Sequence, residues 1–106
     1  MDLSAIPFRA TSRAGISLHV YSEDERTGRI VALIAMEAGC RYPAHRHIDE
    51  ERVLVLRGGY EDEFGKHREG DSIRYKAGTS HSPRALPGGT CVLLALARKG
   101  VEVLAR

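Results

Sequence analysis

Residues 39–58 read Gly39-Cys40-Arg41-Tyr42-Pro43-Ala44-His45-Arg46-His47-Ile48-Asp49-Glu50-Glu51-Arg52-Val53-Leu54-Val55-Leu56-Arg57-Gly58. Two histidines one residue apart, followed by carboxylates, open an apolar strand-like run that ends in glycine. Side chains alternate faces along a strand, so His45, His47 and, if the strand is unbroken, Glu51 point to one face. Two neutral imidazoles and a carboxylate on one face are a donor set for a divalent transition metal, with bonds of about 2.0–2.2 Å. A second segment, Gly70-Asp71-Ser72-Ile73-Arg74-Tyr75-Lys76-Ala77-Gly78-Thr79-Ser80-His81, offers a fourth ligand in His81.

Outward from this stretch, turn signals recur every eight to twelve residues, among them Thr27-Gly28, Ala38-Gly39, Gly58-Gly59, Gly65, Gly70, Gly78 and Pro87-Gly88-Gly89. Between them lie short runs rich in Val, Ile, Leu and Tyr. Evenly spaced short strands predict an all-β sandwich or barrel. Strands are expected over 16–21, 29–36, 52–57, 60–64, 71–75, 90–97 and 101–104. His45–His47 is expected to begin the strand that continues through Val55, with a bend at Ile48–Asp49. The run Cys91-Val92-Leu93-Leu94-Ala95-Leu96-Ala97 is apolar on both faces, which predicts a strand covered on both sides. Residues 1–12 carry few apolar anchors and are expected as a loose arm or an exchanged edge strand. The whole chain, 1–106, reads as one domain.

The two segments resemble the cupin motifs. The first motif is Gly, five residues, His-x-His, three or four residues, Glu, six residues, Gly; Gly39, His45, His47, Glu51 and Gly58 match it without a shift. The second is matched by Gly70, Gly78 and His81, with Lys76 where the family has proline and Ala85 where it has asparagine. The wording between His45 and Pro83 is similar to the ChrR-type cupins. The resemblance implies a double-stranded β-helix (a jelly-roll barrel) and one divalent transition metal per chain. Its ligands would be His45, His47, Glu51 and His81, and zinc, iron, nickel and manganese all suit such a set. It also implies a homodimer, for which the second face of the 90–97 strand is a candidate surface.

Glu51 is preferred over Glu50 by motif spacing and strand parity; Glu50 would then orient a ligand imidazole or sit in a solvated acidic turn. His19 and His67 have no partner at ligand spacing and read as surface or half-buried residues. Asp62 and Glu63 fall on a predicted hairpin, where a charged exposed edge is the ordinary explanation, although this acidic pair recurs in ChrR-type cupins. Cys40 and Cys91 form neither a disulfide framework nor a zinc-ribbon spacing, and Cys40 reads as an inert thiol. Arg57, Arg74 and Arg84 read as solvated, with an anionic ligand in a cavity as the alternative.

A net charge of +2, with its basic residues scattered, gives no footprint for nucleic acid. The sequence has no long apolar run and no basic-then-apolar start, so membrane spanning and secretion are not expected and a cytoplasmic protein is. No nucleophile elbow, phosphate loop or dinucleotide fingerprint is present. Two functions follow from the resemblance. One is a small stand-alone metal-binding cupin that senses or binds a small-molecule ligand. The other is an Fe(II)-dependent dioxygenase acting on a small oxygenated organic substrate. The residues before Gly39 read as strands rather than as a helical sigma-binding domain, so a direct anti-sigma role is not expected.

Overall fold

The computed structural model describes residues 2–104, and among them the only helical element is a short 3-10 turn at Leu3–Ala5. The strands are β1 (Arg9–Ala10), β2 (Ile16–Asp24), β3 (Arg29–Met36), β4 (His45–His47), β5 (Glu51–Arg57), β6 (Gly59–Asp62), β7 (Gly65–Arg68), β8 (Ser72–Tyr75), β9 (Ser80–His81), β10 (Arg84–Ala85), β11 (Cys91–Arg98) and β12 (Val101–Val103). They form a six-stranded antiparallel sheet, β1-β2-β3-β11-β5-β8, and two three-stranded sheets, β10-β6-β7 and β12-β4-β9. From β3 onward consecutive strands, the β6–β7 hairpin apart, pass from one sheet to another, the path of a jelly roll.

Alternation explains which side chains become core. Along β5 Val53 and Val55 are buried while Arg52 is exposed, and along β11 Cys91, Leu93 and Ala95 are buried. Val53, Val55, Cys91 and Leu93 join Met36, Ile16, Tyr60, Tyr75 and Ala85 in one apolar cluster between the large sheet and the small ones. β3 and β11 pair without a slip from Cys91↔Met36 to Arg98↔Arg29. On the opposite face of that pair Leu33 and Val92 are also buried, whereas Leu96 is 45% exposed. The doubly apolar reading of this strand therefore holds for its first half.

One expectation about the path differs from the structure. Residues 45–55 are not one bent strand, because β4 pairs with β9 and β12 while β5 pairs with β11 and β8. The link at 48–50 carries the chain from a small sheet to the large one, with Glu50 N–H donating to Asp49 Oδ1 at 2.7 Å. Glu51 therefore reaches His47 across the interior rather than along a shared strand face. At the N-terminus, where a loose or exchanged arm was expected, Asp2 Oδ1 accepts from Ser4 N–H at 3.0 Å and β1 pairs with Leu18 and Ser17 of the same chain. Met1 lies outside the described residues.

Candidate metal centre

β4 places His45 and His47 inward with Arg46 outward between them, as a period of two requires. β9 lies beside β4 with His45↔His81 in register, and β5 begins at Glu51. One ligand atom from each of His45, His47, Glu51 and His81 lies within 4.8 Å of the other three, and all four residues are buried. Glu50 is elsewhere: its exposed carboxylate accepts from Arg74 at 3.0 Å and from Arg52 at 3.4 Å. The structure brings Glu51 to the three histidines and leaves Glu50 at the surface.

The hydrogen bonds of this cluster fix the direction of its lone pairs. Nδ1 of His45 lies 2.8 Å from the Pro43 carbonyl oxygen, and Nδ1 of His81 lies 2.9 Å from Asp62 Oδ2. Both partners only accept, so each Nδ1 carries the proton and each Nε2 is left with its lone pair. Those two Nε2 atoms face one another at 2.9 Å. Neither ring nitrogen of His47 has a hydrogen bond, although Glu51 Oε1 lies 2.6 Å from its Nε2; that contact is close but not bonding in direction. Buried lone pairs converging without donors are costly in a protein interior. A divalent cation accepts from all of them, so the residues fit such an ion.

Burial lowers the pKa of His45, against the opposing hydrogen bond to Pro43, and burial likewise lowers that of His81 against its bond to Asp62. Both rings are thus held neutral, the form that binds metal. At Asp62 burial alone would raise the carboxyl, but hydrogen bonds from Tyr75, His81, His67 and the Phe64 N–H outweigh it and hold it at about 2. Burial pushes the Tyr60 and Tyr75 phenols far above their ordinary value, so both stay protonated donors.

A pH dependence follows with a definite sign. In the unfolded chain both histidines take protons as the pH falls below 6.5, and in the folded chain they resist. Stability of the metal-free protein is therefore expected to fall below that pH, by up to about 2.7 kcal/mol per unit if both groups act together. Denaturant unfolding in the presence of a chelator at pH 7.5 and 5.5 measures it; a flat profile would contradict the burial of two neutral imidazoles.

Asp62 and its partners are what the sequence reading missed. Asp62 was expected on an exposed edge, yet its side chain is 0% exposed and bonds to His81 and His67. The antiparallel pairing of β6 with β7 sets His67 opposite Tyr60, which brings its Nε2 within 3.0 Å of Asp62 Oδ1. Tyr75 stacks on His47 at 4.9 Å and 27°, and Tyr42 meets His45 edge-on at 5.2 Å. The only sequence signal for Asp62 was its place beside Glu63 in the hairpin, whose Oε1 accepts from Ser82 N–H at 2.9 Å. His19 contacts Tyr21 away from the cluster. Cys40 lies against the Ala14 carbonyl, and burial raises the Cys91 thiol to about 11.

Beside the cluster lies a partly open pocket of about 50 Å³, walled by Ile34, Met36, Tyr42, Tyr60, Leu93 and Val101 among others. Arg57, Arg74 and Arg84 are not among its walls. The cavity is apolar apart from the two phenols and the cluster itself.

A jelly roll closing on three histidines and a glutamate has the architecture of a cupin. Residues 1–99 match the model of the ChrR cupin-like domain, and the chain belongs to that family. A chain in the crystal structure of Rhodobacter sphaeroides SigE in complex with the anti-sigma ChrR is 27% identical with a TM-score of 0.81. The match covers 91% of this chain and 51% of that one, so this chain spans about half its length. An RmlC-like cupin protein from Ralstonia eutropha JMP134 is 19% identical over 98% of this chain and 70% of its own, with a TM-score of 0.86. An acetylacetone dioxygenase from Acinetobacter johnsonii is 13% identical over 99% and 76%, with a TM-score of 0.87. At those identities the last two show a shared fold alone. No curated protein sequence matches the chain. Among the described residues no helix is long and apolar enough to cross a membrane.

Proposed function

We propose that this domain holds one divalent transition metal through His45, His47, Glu51 and His81 and binds or senses a small ligand beside it. The observation that carries this reading is the pair of Nε2 lone pairs facing each other at 2.9 Å, each fixed by an acceptor on the far side of its ring. When bound, such an ion supplies Lewis acidity and, if it is iron, redox capacity. The chain's own residues do the rest. Pro43 and Asp62 accept from the outer nitrogens of two imidazoles, Tyr75 backs His47, and apolar walls line the pocket beside them.

Cavity size supports one of the two functions over the other. Sites for drug-sized molecules measure about 300–1,000 Å³, and this cavity, at about 50 Å³, admits a few atoms. That favours a small ligand over a bulky organic substrate. The Fe(II)-dependent dioxygenase reading draws support from the apolar walls and the shared fold with the Acinetobacter enzyme, but it requires the cavity to enlarge. SigE is the partner of ChrR in that complex, and a protein partner of that kind is the second reading for what this domain signals to. Two free cysteines suit a reducing cytoplasm, and exposed Leu96 on the outer face of the large sheet suits a homodimer.

Elemental analysis of protein purified from its own host without chelator tests the reading. One equivalent of zinc per chain supports the ligand-sensing function, stoichiometric iron shifts it to the dioxygenase, and no metal overturns the site. Glu51→Gln is expected to weaken metal binding about tenfold or more, whereas Glu50→Gln, which disturbs only surface ion pairs, leaves it unchanged. The opposite order in a competition titration would show that the carboxylate is misassigned.

A further inference from the structure

Asp62 sits at the end of β6 with its side chain 0% exposed and four donors upon it. Oδ2 accepts from Tyr75 O–H at 2.6 Å and from His81 Nδ1 at 2.9 Å. Oδ1 accepts from His67 Nε2 at 3.0 Å and from the Phe64 N–H at 2.9 Å. Tyr75 gives its proton to Asp62, so at the 2.6 Å contact between the phenols it is Tyr60 that donates to Tyr75. Every proton in the network points toward one carboxylate.

We infer that Asp62 is a positioning residue of the metal centre: it locks His81 in the tautomer whose Nε2 can ligate, and it lends that imidazole negative charge. The inference rests on the metal reading above. A turn residue closing the β6–β7 hairpin would need only the Phe64 contact. Asp62 divides instead, one oxygen serving the hairpin and His67, the other serving His81 and Tyr75. Tyr75 extends the effect to a second ligand, since its ring stacks on His47 and lies 4.3 Å from the His81 ring. A carboxylate that hydrogen-bonds the outer nitrogen of a ligand histidine fixes its orientation and raises its basicity.

An amide cannot replace this carboxylate, for a reason that makes the test specific. Asparagine has one acceptor oxygen, and both positions are held by donors. With its oxygen on the hairpin side, its NH₂ faces His81 Nδ1. That nitrogen must then accept, which moves the ring proton to Nε2 and removes the lone pair from the site. With its oxygen on the His81 side, the NH₂ opposes Phe64 N–H and His67 instead, and the hairpin loosens.

The experiment has two readouts. Long-range ¹H–¹⁵N spectra of the metal-free wild type are expected to place the His81 proton on Nδ1; a proton on Nε2 would overturn the inference. Asp62→Asn is expected to shift His81 wholly or partly to the other tautomer. Its affinity in a zinc or cobalt competition titration is expected to fall about 10–100-fold, with circular dichroism unchanged. Glu61→Gln, the same charge loss one residue earlier on an exposed position, is expected to bind as wild type. An Asp62→Asn protein with wild-type tautomer and affinity would overturn the inference. So would an equal loss in Glu61→Gln, which would reduce the effect to net charge. Should Asp62→Asn not fold, the wild-type tautomer still decides. A wild type that binds no metal defeats the proposed function, while the tautomer readout continues to test the locking of His81.

Discussion

Alanine in place of His47 is expected to lower bound metal at least tenfold while leaving the β-fold in place. His47 is 1% exposed, and neither of its ring nitrogens has a hydrogen bond. Truncation breaks no hydrogen bond, though it removes the ring that lies 2.6 Å from the buried Glu51 carboxylate. What disappears is one donor of four and the ring that Tyr75 stacks upon. In the metal-free protein relief of a buried unsatisfied imidazole offsets part of the lost packing. In the metal-loaded protein the linkage is direct. An ion that binds only the folded state stabilises it by RT ln(1 + [L]/Kd), about 2.7 kcal/mol at one hundred times Kd, and a hundredfold weaker site loses nearly all of that. Thermal unfolding with and without added metal separates the two terms: wild type shifts upward on loading and His47→Ala does not. Full metal occupancy in the variant would refute the assignment of His47.

How much of this was legible in the sequence depends on the range of the interaction. The histidine pair on β4 follows from a period of two within three residues, and no tertiary contact is needed to read it. His81 and Glu51 were legible as motif positions, but the geometry that joins them was not. Glu51 was expected through the parity of one continuous strand, whereas the chain changes sheets at 48–50 and Glu51 approaches His47 from the facing sheet. Spacing picked the carboxylate that lies beside the three histidines, and the parity argument behind it does not describe the path. Asp62 was legible only as half of an acidic pair that recurs in ChrR-type cupins, and its partners were not legible at all. Beside Glu63 and Gly65, an aspartate reads as a solvated turn residue, and its burial depends on three partners from β7, β8 and β9. The strands β1, β9 and β10 have two residues each, too short for any periodicity to register. Pairing to neighbours distant in the chain makes them strands, and no local pattern carries that information.

The two glycines that bracket the first motif match it equally in sequence, yet they are expected to differ widely in cost when replaced. Gly39 and Gly58 both have positive φ, 77° and 71°. At Gly39 an added Cβ meets nothing within 4 Å, so Gly39→Ala pays only for the left-handed backbone, about 1–2 kcal/mol. At Gly58 the same atom would lie 2.5 Å from the Thr90 carbonyl oxygen and 3.1 Å from Cys91 Cα. Those are backbone atoms and cannot rotate aside. They also belong to the start of β11, where its pairing with β5 already shifts register between Val92 and Leu93. Relief requires β11 to move from β5 at the most buried end of the core, where Cys91 and Val55 are 0% and 1% exposed. Gly58→Ala is therefore expected to cost about 4 kcal/mol or more, in the range reserved for strain and overpacking acting together. The damage should reach the metal centre as well, because Gly58 joins the strand that begins with Glu51 to the strand that ends with Asp62. Denaturant unfolding of both variants, with a metal titration on whatever remains folded, measures the difference. Equal costs for the two substitutions would mean that β11 yields to the added methyl group, and that the close approach at Gly58 is not what the fold requires of this position.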